Sequence, residues 1–234
     1  MGIEQFPPLD QHSFEELHSV EMREAYNAIF LLLIKLTPLI KEHRYQCIVS
    51  DDLSGRIPSE IIQRGANLFY KQTAMPEIPM VGIRGSWSFQ ETIRHNPTKR
   101  FRATQTEIDI ARLRLNSNQI PKPKKVLLST EYIETGKTIN NIYNQLVRLG
   151  LEVDIASMSI KYNPDYFKQQ RLLDQHTILL FGTISPNKPK IWGRPELLGN
   201  SYQRKGTIPT YQPEIESDIN QMAKKFYEML QRVQ

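Results

Sequence analysis

An α/β fold, with a central, mostly parallel sheet and helices on both faces, is the class this sequence predicts, and three observations predict it. Short β-rich apolar runs alternate with longer stretches whose apolar residues recur at helical spacing, the rhythm of strand–helix–strand units. Gly, Pro, Ser and Asp cluster where those runs stop, as turn chemistry requires. The chain has 234 residues, 39% of them hydrophobic and 24% charged, so one core can close over such a sheet without covalent staples.

Taken in order, residues 1–12 read as an irregular arm. Ser13 and Glu16 make a capping box, and Phe14, Leu17, Val20, Ala25, Ala28, Ile29, Leu32, Leu33 and Leu36 follow helical spacing, which predicts one long helix to about Thr37. Pro38 then kinks or ends it. "CIVSDD" (47–52) reads as a strand stopping at "LSGR", and Pro58 opens a helix, "PSEIIQRGANLFYK". "PMVGIRG" (79–85) and "KVLLST" (125–130) are strands, the latter followed by a glycine turn and the helix "TINNIYNQLVRLG", with Gly150 as its C-terminal cap. "EVDIASMSI" (152–160) is a strand, "PDYFKQQRLLD" a helix, "TILLFGTI" (177–184) a strand, and "PEIESDINQMAKKFYEMLQRV" a closing amphipathic helix. Two stretches, 86–122 and 185–213, break the rhythm and read as long loops or insertions. The chain therefore divides into an N-terminal helical segment (1–44), a core (45–184) and a C-terminal loop and helix packed on it (185–234).

Bulk chemistry narrows the partners. A net charge of +5 and a pI near 9.2 favour an anionic ligand. The lone cysteine, Cys47, sits in an apolar run and suits a core position in a reducing, cytoplasmic compartment. No secretory leader is expected from the acidic, polar N-terminus, and "AIFLLLI" is too short to cross a bilayer, so no membrane partner is expected. The five histidines show no metal spacing. Basic residues are dispersed and no aromatic RNA-binding signature appears, so no nucleic acid is expected either.

The stretch that carries chemistry is "STEYIETGKTINN" (129–141). Its Gly-Lys-Thr invites comparison with a triphosphate-binding P-loop, which needs a glycine five positions earlier so that backbone can wrap the phosphates. That position is Glu131, and Glu134 is a second carboxylate inside the loop; two acids repel a triphosphate. A single phosphate with a sugar suits the same residues. Amides at the start of a helix favour a phosphate monoester, Thr135 and Thr138 add hydroxyls, Gly136 allows close backbone approach, and Glu131 can accept hydrogen bonds from ribose hydroxyls.

"VLLSTEYIETGKT" (126–138) resembles the phosphoribosyl pyrophosphate (PRPP) signature of type I phosphoribosyltransferases: apolar strand, two acids, short spacer, Thr-Gly-x-Thr. "CIVSDDLSGRIPSEII" resembles the first strand, pyrophosphate-binding loop and following helix of that family. The resemblance covers roughly residues 45–184 and departs at the first acid, where Thr130 stands. It implies a phosphoribosyltransferase-like core, with the N-terminal helix and 185–213 as a hood over the base. It further implies PRPP and a small nitrogenous base or nucleotide as partners, Mg2+ as cofactor, and transfer of ribose 5-phosphate with release of pyrophosphate; it admits a homodimer. In this reading Thr135, Gly136, Lys137 and Thr138 hold the 5-phosphate, Thr130 and Glu131 hold the ribose, and Glu134 accepts a proton from the base. Asp52, Ser54, Gly55 and Arg56 form the pyrophosphate loop, or else an ordinary strand-to-helix turn. Asp51 and Asp52 orient Mg2+ waters, or else cap that turn. Arg84, Lys99, Arg100 and Arg102 belong to the flexible loop, the last three also reading as a solvated surface run. Trp192 stacks on the base, helped by Lys188 or Lys190, or else packs. The missing first acid motivates an alternative, a non-catalytic regulator that binds PRPP or a nucleotide; a third reading is an enzyme of the same fold that modifies a nucleoside monophosphate. The acceptor base has no assignable motif.

Overall fold

A computed structural model describes residues 16–83, 125–162, 165, 177–186 and 211–232, without the side chains of 52–54 and 83. Among the described residues nine elements run in the order α1 (Val20–Lys41), β1 (Cys47–Asp51), α2 (Asp52–Gln72), β2 (Met80–Ile83), β3 (Lys125–Ile133), α3 (Lys137–Arg148), β4 (Glu152–Ile160), β5 (Leu179–Ile184) and α4 (Pro213–Arg232). The five strands form one sheet in the order β2-β1-β3-β4-β5, and every pairing is parallel. The α/β class is as expected.

Parallel strands covered on both faces must be apolar on both, and β1 is buried at every position. Alternation then sends side chains to two cores. Ile48, Leu127, Ala156 and Met158 meet α1, α2 and α4 on one face. Cys47, Val49, Val126, Leu128 and Ile155 meet Ile139, Ile142, Tyr143 and Leu146 of α3 on the other. The helix after β1 and the helix after β3 thus leave adjacent strands toward opposite faces. Such a divergence opens a crevice at the carboxyl ends of the strands, the place where ligands bind in open α/β sheets.

Several boundaries differ from the sequence expectation, each for a local reason. α1 begins at Val20 rather than near Phe14, because Ser19 caps it by accepting the Met22 N–H at 3.3 Å. Asp218 of α4 supports that start, accepting the backbone N–H groups of His18 at 2.9 Å and Ser19 at 2.8 Å. Ser13 lies outside the described residues. Pro38 lies inside α1, which runs one turn further; Glu42 N–H bonds to the Pro38 carbonyl at 3.1 Å. A proline forfeits its own N–H bond, and this one does so only in the last turn.

α2 begins at Asp52, not at Pro58, so Asp51 ends β1 and residues 52–56 of "DDLSGR" are helical and not a loop. Gly55 makes this start feasible, because a Cβ there would stand 2.2 Å from the Ser129 carbonyl oxygen of β3. β3 runs three residues beyond its expected end, to Ile133, since β4 continues to offer backbone partners up to Ile160. α3 ends where expected, with Gly150 at φ 79°; Gly150 N–H bonds to Val147 and Leu151 N–H to Leu146. Apart from Asp165, the expected helix at 164–174 lies outside the described residues. No described helix is long and apolar enough to cross a membrane.

Candidate ligand site at the carboxyl edge of the sheet

The middle strands change character near their carboxyl ends. Val49, Leu128 and Ile155 are apolar, but Ser50, Asp51, Ser129, Thr130, Glu131, Ser157 and Ser159 follow, all buried. Register makes this a band, since Ser50 pairs with Ser129 and Thr130 with Ser157. Burying so many hydroxyls and carboxylates costs free energy unless each is bonded. Most of the hydroxyls are. Thr130 Oγ1 donates to Asp51 Oδ2 at 3.2 Å, Ser157 Oγ donates to the Ser159 carbonyl at 2.6 Å, and Ser159 and Thr183 share a hydroxyl bond at 2.6 Å. Ser129 Oγ is buried with no hydrogen-bond partner. A polar seam inside a sheet is a poor stability device, so its position at the crevice is the functional signal.

Above the seam the β3 chain turns into α3 through Gly136, which sits at φ 75°. That left-handed conformation suits glycine and strains any residue with a Cβ. No side chain caps α3, and its first turn carries no acid. Its leading amides therefore keep their hydrogen-bonding capacity at the positive end of the helix dipole. Lys137 is the first helical residue and is exposed, where its charge opposes the dipole. An anion seated there relieves that repulsion and satisfies the amides. On the neighbouring strand α2 begins without a side-chain cap as well, because Asp51 accepts from Thr130 instead. Two uncapped helix starts thus flank the buried seam.

The expected phosphate residues Thr135, Gly136, Lys137 and Thr138 are contiguous at this turn; below it Thr130 is bonded to Asp51, and Glu131 is buried next to Thr130 in β3. Glu134 stands exposed at the rim and pairs with Lys161, whose Nζ donates to its Oε1 at 2.6 Å. That bond holds the Lys161 ammonium above its ordinary pKa. Tyr132 leans across the end of β4 and donates to the carbonyls of Ser185 at 3.1 Å and Pro186 at 3.2 Å; burial pushes its phenol up, with Glu134 adding to the effect.

Gly55 and Arg56 come out differently from the expectation of a loop. Both are in the first turns of α2, and Arg56 turns to Glu60 (2.8 Å) and lies over the Tyr211 ring at 5.6 Å. Glu60 also accepts from Tyr211 and Arg64, so Arg56 belongs to a network that ties α2 to α4. The side chains of Asp52 and Ser54, and the residues Arg84, Lys99, Arg100, Arg102, Lys188, Lys190 and Trp192, lie outside the described set.

Sequence reasoning missed Lys161, Ser157 and Ser159. The "SMSI" alternation followed by lysine could have marked a polar strand end. The Glu134–Lys161 contact spans 27 residues and needs the register to be seen. Among the described residues no three His, Cys, Asp or Glu side chains converge as a metal cluster. The donors present at the crevice are hard oxygens, which fits Mg2+, an ion that takes one or two carboxylates and fills its shell with water and phosphate. Compared with known proteins, the chain matches no family model, and no curated protein and no solved structure matches it.

Proposed function

We propose that this crevice binds PRPP and that the protein transfers its ribose 5-phosphate to a nitrogenous base, releasing pyrophosphate. The observation that carries the reading is the uncapped start of α3 behind left-handed Gly136, directly above buried Thr130 and Glu131. A phosphate monoester satisfies the amides of residues 136–138, with the hydroxyls of Thr135 and Thr138 and the charge of Lys137 beside it. A ribose extending toward the sheet meets Glu131, whose carboxylate accepts from sugar hydroxyls. The start of α2 faces the pyrophosphate end of such a ligand. Mg2+, when bound, would neutralise pyrophosphate charge, with Asp51 and Asp52 as its protein oxygens. The chain's own contribution is to hold the sugar and to present Glu134 as proton acceptor for the base nitrogen. A reducing, cytoplasmic setting belongs to the proposal, as do the resemblance to type I phosphoribosyltransferases and a homodimeric state.

One observation favours a second reading, a PRPP- or nucleotide-binding regulator. Thr130 places a neutral hydroxyl where the signature carries its first acid, and donates that hydroxyl to Asp51. One experiment separates the readings. PRPP and ribonucleoside monophosphates are expected to raise the melting temperature, by the equivalent of about 2.7 kcal/mol at a hundredfold excess over Kd, with ATP no better than a monophosphate. Pyrophosphate release with Mg2+ and a panel of bases then identifies the enzyme; protection without release identifies the regulator. Protection by ATP alone would sink both.

A further inference from the structure

Glu134 does not stand by itself at the rim. The parallel register pairs Ile133 with Ile160, and one step further it brings Glu134 beside Lys161. The Lys161 N–H bonds to the Ile133 carbonyl at 2.9 Å, so the two strand ends are tied at the base of the pair. The ammonium then meets the carboxylate at 2.6 Å and also lies over the Tyr162 ring at 5.5 Å. Tyr132 of β3 and Tyr162 after β4 are the other titratable groups near the pair among the described residues.

Both side chains reach solvent, Glu134 being 58% and Lys161 30% exposed, and ion pairs of that kind contribute little to fold stability. What the pair does is restrict a carboxylate. Glu134 lies in the short turn between β3 and α3, where an unrestrained side chain would sample several rotamers. A group that takes a proton from an incoming base has to be ionised and aimed before the base arrives.

We propose that Lys161 is a positioning residue for Glu134: its ammonium, set by the β3–β4 register and seated over Tyr162, aims the carboxylate at the acceptor side of the crevice. The inference rests on the reading of Glu134 as the group facing the base, so its first test needs no turnover. Removing a neighbouring positive charge disfavours the ionised carboxylate. In Lys161→Met the Glu134 carboxyl, followed by carbon-13 NMR in the full chain, is expected to titrate at a higher pH than in the wild type. The move is roughly 0.1–0.7 pH unit, the equivalent of an exposed pair. Lys161→Arg restores it. The acid limb of the kcat/KM profile for base moves the same way in Lys161→Met, with KM for PRPP unchanged. Equal midpoints in wild type and Lys161→Met overturn the inference, whether or not the protein turns over. A moved midpoint with an unmoved pH profile overturns the role in transfer. A moved midpoint in a wild type that turns over no base supports the positioning of Glu134 and overturns the transferase reading instead.

Discussion

At Gly55 the chain has no space for even a methyl group. A Cβ would stand 2.2 Å from the Ser129 carbonyl oxygen and 3.2 Å from Ser50 Oγ, and the nearest of those atoms is backbone that cannot swing away. The glycine therefore lets the start of α2 lie directly on β3, which sets the width of the crevice. Gly55→Ala is expected to cost about 1–3 kcal/mol, the usual range for forcing an extra methyl into a packed site. It should also weaken PRPP protection, because α2 must shift away from β3. Chemical denaturation with and without PRPP checks both; an alanine variant as stable as the wild type would mean the helix start is looser than this contact requires. Gly136 is needed for a different reason. There the constraint is the positive φ. Cys47 is inert by the same residue-level logic: burial pushes its thiol up to about 12.

Elements here are held at their ends as much as along their faces. α1 and α4 share one core, to which Met22 of α1, Ile219 and Met222 of α4 and Leu17 just ahead of α1 belong, but their relative position is pinned by Asp218. Its carboxylate is fully buried and accepts the His18 and Ser19 amides at the start of α1. An aspartate two hundred residues away thus completes the cap that Ser19 begins. Asp218→Ala leaves those amides without a partner, at a cost of about 1–3 kcal/mol. Asp218→Asn keeps one carbonyl acceptor and should lose less. Urea unfolding of the two variants gives that ranking, and equal, negligible losses would show that water replaces the carboxylate. A second such joint lies at the amino edge of the sheet. Asp154, 1% exposed, takes Tyr45 at 3.0 Å, Lys125 at 3.2 Å and Arg44 at 3.4 Å, tying the starts of β1, β3 and β4. The sheet is therefore fastened at its amino edge.

For the molecule as a whole, the buried phenols set an alkaline limit. Burial raises the pKa of Tyr45, Tyr70 and Tyr211, helped at Tyr45 by Asp154 and at Tyr211 by Glu60. The folded protein keeps these protons while the unfolded chain releases its own from about pH 10, and the Cys47 thiol from about pH 8.5. Above those values the unfolded state binds fewer protons, so stability falls as pH rises. Below them these groups contribute their full share. The melting temperature is expected to decline from about pH 9 and more steeply past 10, with the share of the tyrosinate absorbance that belongs to these three phenols appearing together with unfolding. The full tyrosinate absorbance of all ten tyrosines forming in the folded protein near pH 10 would show that the three phenols are open to solvent.

The elements were legible in the sequence because their signals are local. Strand β4 begins and ends where "EVDIASMSI" does, and Gly150 caps α3 as its position predicts, since period and turn chemistry act over a few residues. "ETGKT" likewise announced a turn and a helix start in a row, although β3 runs to Ile133 and not to Thr130. The errors fall where a distant partner decides. Phe14 was expected in α1 and Pro58 at the start of α2; Asp218 and the close approach of β3 to Gly55 set those starts instead. The order β2-β1-β3, which opens the crevice, depends on which strands pair and not on their sequence neighbours. The same pairing brings Thr130 to Asp51 and Glu134 to Lys161. By itself the sequence determined the α/β class and the residues that stand at each strand end, because period, residue type and spacing are written in it. Only the tertiary structure decided which of them meet, because strand register and helix packing are set by contacts between segments far apart in the chain.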